Sequence, residues 1–211
     1  MKKIVTKLQH FTSYVTMSST IDQQYVEKTL AGDTMAFGYL VEKYQDFVFT
    51  IAVRILKSKE EAEEVAQDSF IKAFESLSSY RGEAKFSSWL YSIVYRKALD
   101  SLRKNKKHRG IELIEDITEG TVESIDNALQ FLQDEERKKA IRDCIGKLSE
   151  SEAAIITFYY FEDLSVREIS GITELSEENI KVKLFRSRKK LFTLLKHSIL
   201  PEISNTNGRA I

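Results

Sequence analysis

The sequence predicts an all-α protein made of two small helical domains, a helical bundle and a helix-turn-helix unit, joined by a flexible acidic linker. Glycine (8) and proline (1) are scarce among 211 residues, so few tight turns or sheet edges are signalled. Apolar residues recur at helical spacing behind serines that read as helix caps. Between two such stretches, Gly110 to Glu136 carries Glu112, Glu115, Asp116, Glu119, Glu123, Asp126, Asp134, Glu135 and Glu136 with no lysine or arginine. An acidic block without an apolar period reads as a connector. The expected divisions are an N-terminal extension over 1–19, a first domain over 20–109, a linker over 110–136, a second domain over 137–198 and a tail over 199–211. Met17 offers a second start to translation beside Met1.

In the first domain Phe37, Leu40, Val41, Tyr44, Val48, Ile51 and Ile55 line one helical stripe. Ser58-Lys59-Glu60-Glu61 then reads as a capping box, the serine accepting from a backbone amide while Glu61 reaches back. Ala62, Val65, Ala66, Phe70, Ala73 and Leu77 give the helix that follows its inner face. Ser79-Tyr80-Arg81-Gly82-Glu83 reads as a loop, and a further helix starts near Ser87 with Leu90, Ile93, Val94, Ala98 and Leu102 inward. The second domain runs from about Arg137 to His197. Ser149 with Glu152 and Ser165 with Glu168 supply two capping boxes, and Ser176 a third N-cap. The resulting order is helix, short turn, short helix, three-residue turn, long helix, which is how a helix-turn-helix reads.

Composition excludes several classes. At 42% hydrophobic and 30% charged, the chain can bury a core and is not a disordered segment. No apolar run approaches the roughly 18 residues of a membrane span, so no direct membrane insertion is expected. The one cysteine, Cys144, fits a reducing cytoplasm and the role of a small buried thiol. His10, His108 and His197 have no metal-ligand spacing. There is no glycine-rich phosphate loop and no nucleophile motif either, so no enzyme activity, cofactor, metal or small-molecule substrate is expected.

Net charge is zero, yet the charge is segregated. Arg96, Lys97, Arg103, Lys104, Lys106, Lys107 and Arg109 close the first domain, opposed only by Asp100. From Lys181 to Lys196 the last long helix carries Lys181, Lys183, Arg186, Arg188, Lys189, Lys190 and Lys196 without an acid. A single cationic run usually keeps a helix soluble. Two, each ending a domain, point to phosphate binding with release of counterions. On the terminal helix Ile180, Leu184, Ser187, Leu191 and Leu195 share the inner face, while Val182, Phe185, Arg186 and Lys189 point away. Phe185 either packs on a neighbouring helix or touches a thymine methyl in a major groove, with Arg186 at a guanine edge or a phosphate. Tyr80, Phe86, Trp89, Tyr91 and Tyr95 cluster among Arg81, Lys85, Arg96 and Lys97, a mixture suited to single-stranded DNA. Aromatic stripes are more often core, and Trp89 and Tyr91 are expected to be at least partly so. The loop residues suit a pocket for a base flipped from the duplex.

These residues carry a family resemblance. Asp33 to Phe37, Tyr44, Glu61 to Phe74, Tyr80-Arg81-Gly82 and Phe86 to Ile93 resemble region 2 of the extracytoplasmic-function (ECF) sigma factors of the sigma-70 family. Leu148 to Leu191, including Leu164 to Ile169 and Lys181 to Arg188, resembles their region 4. The resemblance implies a factor that binds core RNA polymerase and promoter DNA and is held by an anti-sigma factor. It implies docking of the Glu61–Phe74 helix on the β′ clamp through Glu61, Glu64, Gln67, Asp68, Phe70 and Ile71. Reading and melting of the −10 element would fall to Tyr80, Arg81, Lys85, Phe86, Trp89, Arg96, Lys97, Asp100 and Arg103. Reading of the −35 duplex would fall to Lys181, Val182, Phe185, Arg186 and Lys189, with that domain resting on the β flap and the acidic linker threading towards the RNA exit path. Arg96 stands where the family often has asparagine. Glu177-Glu178-Asn179-Ile180 replaces the frequent Gly-Thr-Val. A helix-turn-helix regulator acting on duplex operator DNA without polymerase is the alternative reading, and the aromatic loop, of no use to a duplex reader, speaks against it.

Overall fold

The computed structural model describes residues 21–106 and 135–206, with side chains over 21–104 and 139–195. The expected extension 1–19 and most of the acidic linker lie outside the described residues. Every described element is a helix: α1 (21–30), α2 (Ala36–Leu56), α3 (Lys59–Glu75), α4 (Phe86–Lys106), α5 (Glu135–Gly146), α6 (Glu150–Phe161), α7 (Val166–Thr173) and α8 (Glu177–Thr206), with a single 3-10 turn at Leu77–Ser79.

Helices α2, α3 and α4 pack on one another and α1 closes the group. The closure is polar at its centre: buried Asp22 of α1 accepts from the Tyr44 hydroxyl (2.6 Å) and pairs with Lys43 (2.5 Å), both on α2. The rings of Tyr25 and Tyr39 stack 3.9 Å apart alongside. The expected stripe of α2 is inward, with Phe37, Leu40, Tyr44, Val48, Ile51 and Ile55 buried. Lys57 ends α2 in the left-handed region (φ 57°), donating its N–H to the Val53 carbonyl (2.9 Å). Ser58 then caps α3, its hydroxyl oxygen accepting from the Glu61 amide (3.3 Å). The sequence spacing therefore placed the start of α3 correctly, because the cap is a contact between residues three apart.

The second group begins at Glu135, so the last two acids of the expected linker belong to α5. Likewise α8 continues to Thr206, beyond the expected end at 198. Both capping boxes form: Glu152 returns to the Ser149 amide (3.2 Å) and Glu168 to the Ser165 amide (2.9 Å). Helix α7 ends at Glu174 in the left-handed region (φ 61°), and Glu174, Leu175 and Ser176 make the three-residue turn. Ser176 accepts from the Asn179 amide (3.3 Å) to start α8. Helix α6 is buried on nearly every side from Glu152 to Phe158, since it packs on α8, α7 and α5 and also on α2 of the first group. A helix apolar all round is the sequence signature of such a position.

The two groups share one continuous core. Phe158 of α6, fully buried, meets Phe47 of α2 (6.4 Å between centroids) and Tyr91 and Tyr95 of α4 (6.0 and 6.3 Å). Around this contact the Tyr91 hydroxyl donates to Glu162 (2.8 Å), Arg54 to the Arg142 carbonyl (2.8 Å) and Lys57 to the Leu148 carbonyl (3.1 Å). Composition and periodicity are silent on this juxtaposition, which sets how the candidate surfaces lie.

Candidate nucleic-acid interface

Three faces carry the residues singled out from the sequence. The first is the outer side of α3. Glu64, Gln67 and Asp68 are exposed, Glu61 and Phe70 half-buried, and Ile71 is 58% exposed. Phe74, at 42%, continues the apolar strip one turn on, edge-on to Phe37 at 5.2 Å. Exposed Met35 and Leu30 flank the neighbouring helices. Sequence reading missed Phe74, Met35 and Leu30 as surface residues. The signal was present for Phe74, which follows Ile71 by three positions and so shares its face. Ile71 and Phe74, three positions apart, leave apolar area exposed on the same face of α3.

The second face is the loop before α4 and the exposed side of α4 itself. Leu77–Ser79 turns the chain out of α3, and Gly82 adopts φ +74°, which a side chain would strain. The Tyr80 hydroxyl donates to the Ala84 carbonyl (2.7 Å), drawing the loop together. Burial, with Asp22 nearby, pushes the Tyr80 hydroxyl above its ordinary range. Arg81, Arg96, Asp100 and Arg103 are exposed, and Lys85, Trp89 and Lys97 half-buried. Phe86 departs from expectation. At 1% exposure it is a core residue, packed between Tyr44, Tyr80 and Trp89 at 5.6–5.8 Å, and it offers no ring face to a base. The cause is position: Phe86 opens α4 with its side chain aimed at α2, whereas Tyr80 and Trp89 lie at the rim. Tyr91 and Tyr95 are core as well, and burial near Glu162 carries the Tyr91 hydroxyl far above its ordinary range.

The third face is α8. Ile180, Leu184, Ser187, Leu191 and Leu195 are all buried, as the 100° period predicted. Phe185 is 54% and Val182 46% exposed, with Lys181 and Arg186 exposed beside them and Lys189 half-buried. Of the two sequence readings of Phe185, packing on a neighbouring helix is therefore not what the structure shows. Arg188, in the same basic run, is a structural residue: its Nε donates to the Tyr160 hydroxyl (2.6 Å) and its guanidinium lies over the rings of Tyr159 and Tyr160 at 5.3 and 5.4 Å.

The second and third faces are not equally open. Helix α7 lies along α4, so that Glu168 pairs with Lys85 (2.8 Å) and Glu174 with Arg96 (3.1 Å). A cleft of about 710 Å³ remains between them, lined by Trp89, Ser92, Arg96, Arg167 and Gly171 among others. Two other cations of the second face pair within the first group, Lys97 with Asp68 (3.3 Å) and Arg103 with Asp100 (3.0 Å). Among the described residues no His, Cys, Asp and Glu cluster could hold a metal, and no helix is long and apolar enough to cross a membrane.

Comparison with known proteins places this architecture. Residues 40–108 match the family description Sigma-70 region 2, and residues 138–191 match Sigma-70, region 4. The chain is 31% identical over 177 residues to the RNA polymerase sigma-H factor of Pseudomonas aeruginosa, covering 80% of this chain and 90% of that protein. It is 32% identical to the ECF RNA polymerase sigma-E factor of Haemophilus influenzae (80% and 92% covered) and 30% identical to the ECF RNA polymerase sigma factor SigW of Bacillus subtilis (79% and 92%). Among solved structures, CnrH in complex with the cytosolic domain of CnrY has the same fold, with a TM-score of 0.60 at 21% identity over 84% of this chain and 98% of that one. The sigma factor RpoE in complex with the anti-sigma factor NepR from Bartonella quintana gives 0.59 at 18% identity (76% and 96%). Two matched regions in family order, on an all-helical fold with basic and aromatic faces, identify the chain as a member of the sigma-70 family, an alternative RNA polymerase sigma factor of the ECF branch.

Proposed function

We propose a residue-level division of labour for this sigma factor. Residues 20–109 dock on core polymerase and melt the −10 element, residues 137–198 read the −35 element as duplex, and the acidic segment 110–136 connects them. Glu61, Glu64, Gln67, Asp68, Phe70 and Ile71 contact the β′ clamp, joined by Phe74. Lys181, Val182, Phe185, Arg186 and Lys189 enter the major groove, with their domain against the β flap. Tyr80, Arg81, Lys85, Trp89, Arg96, Lys97, Asp100 and Arg103 hold the parted strand, cations on phosphates and rings on bases. Phe86 supports them from the core. The chain works by binding and catalyses no reaction. Its place of action is the cytoplasm, and an anti-sigma factor is its expected antagonist, as in the solved complexes of its structural neighbours.

The observation that carries this reading is Phe185, more than half exposed between Lys181 and Arg186 on a helix whose opposite side is buried from Ile180 to Leu195. Apolar area left in water among cations fits a groove edge, where thymine methyls and phosphates lie side by side. The test is co-purification with core polymerase, followed by mapping of transcript starts on genomic DNA. Stable association and discrete starts sharing −35 and −10 sequences are expected. A chain that never binds core, yet binds palindromic duplex by itself, is a regulator of the other kind.

A further inference from the structure

We infer that the cavity between α2, α5 and α6 is a binding site for a small amphipathic monocarboxylate, its headgroup on the guanidinium of Arg54 and its apolar body along Val53, Ile141 and Phe161.

The cavity has a volume of about 500 Å³, within the range of small-ligand pockets. Helix α2 supplies Thr50, Val53 and Arg54, α5 supplies Ile141 and Arg142, and α6 supplies Phe161. The walls are mainly apolar. Ile141 is buried and Val53 half-buried, while Phe161 leaves 46% of its surface in water. A ligand body lying along these three side chains takes that apolar area out of solvent.

Arg54 sets the headgroup. Its Nη1 donates to the Arg142 carbonyl (2.8 Å), a contact across 88 positions of sequence. That tie accounts for one N–H group only. The buried Nε has no acceptor, and among the described residues no carboxylate lies within ion-pair distance of the guanidinium. Burial lowers the pKa of Arg54, the Arg142 cation acts in the same direction, and Asp143 opposes both. Two cations and one anion therefore meet here, and a single positive charge is left without a counter-ion. A half-buried cation in that state is unfavourable, and an anion placed beside it offsets the cost. One negative charge completes the balance. A carboxylate suits the remaining N–H groups because a guanidinium can take its two oxygens side by side. A phosphate dianion would bring a second charge into a mainly apolar cavity near Asp143. Because the lining comes from both helical groups, a bound molecule also adds to the contact between them.

The test uses the full chain and sodium decanoate below its micelle concentration. Decanol supplies the same body without the charge, and acetate the headgroup without the body. Titration calorimetry is expected to show saturable one-to-one binding of decanoate, with a raised melting temperature. Decanol and acetate should each bind about tenfold more weakly, or worse. R142Q, at an exposed position, should weaken decanoate binding about threefold, F161A severalfold and R54Q about tenfold. R54Q also removes the tie to the Arg142 carbonyl. If it fails to fold, R142Q and F161A, both altered at exposed positions, still decide. Absence of saturable decanoate binding by the wild-type chain overturns the site. Decanol binding as tightly as decanoate does so too, since it would mean apolar adsorption alone. Unchanged decanoate affinity in both R142Q and F161A places the ligand elsewhere and equally overturns the assignment.

Discussion

Residues of the same chemical kind hold different posts in this chain, and burial separates them. Phe86 and Phe185 were both candidates for DNA contact, yet one is core and the other exposed. Phe185→Ala should leave thermal stability nearly unchanged while weakening −35 duplex binding by the holoenzyme about three- to tenfold. Arg186→Ala and Lys189→Ala should weaken it further, by loss of base-edge and phosphate contacts, with core association intact in gel-shift and pull-down measurements. Glu152 makes a different kind of claim. Burial raises its pKa, but hydrogen bonds from Lys190 (3.0 Å) and from Ser149 more than offset this, and the net shift is downward. A carboxyl held low in the folded state stabilises the fold fully above its ordinary range, and that contribution is lost as pH falls from there through the lowered folded-state pKa. Glu152→Gln should therefore cost about 1–3 kcal/mol of unfolding free energy at neutral pH, measured by urea titration, and the deficit should shrink on acidification.

At the scale of elements, the helix starts were legible because each rests on a contact within one turn. Ser58, Ser149, Ser165 and Ser176 all sit where the sequence placed them, each with its oxygen or its partner glutamate satisfying an orphan amide. The inner faces of α2 and α8 followed from the 3.6-residue period for the same reason. The loop before α4 was legible as a loop but not in its side-chain assignments, since whether Tyr80 or Phe86 faces out depends on where α2 lies. Tyr80→Ala removes the half-buried ring and the hydrogen bond to the Ala84 carbonyl. Closed-complex formation should be spared and melting impaired severalfold, seen as reduced permanganate reactivity of −10 thymines. Unchanged reactivity would remove Tyr80 from the strand-holding set.

Across the whole molecule, the contact between the two groups decides what the surfaces can reach. Tyr91 is the polar hinge of that contact, its hydroxyl donating to Glu162 at 2.8 Å. Burial raises the Glu162 pKa, while the Tyr91 hydrogen bond pulls it down. Tyr91→Phe leaves the carboxylate without that donor, at a cost of about 1–3 kcal/mol in urea unfolding at neutral pH. Because the charged form is the one deprived, the deficit should narrow as pH falls and Glu162 takes up a proton. A cost that stayed constant with pH would mean that the loss is packing alone.

What the sequence by itself determined was local: the helical class, the caps, the inward stripes, the segregation of basic and acidic runs, and through these the family. These features depend on hydrogen bonds and side-chain neighbours within a few residues along the chain. Only the tertiary structure decided that Phe86 is core, that Arg188 braces α8 on α6, and that α7 lies over α4 with Glu168 on Lys85. Those contacts join residues far apart in the chain, 83 positions in the case of Lys85 and Glu168. They follow from how two finished surfaces fit, which no periodicity within either segment encodes.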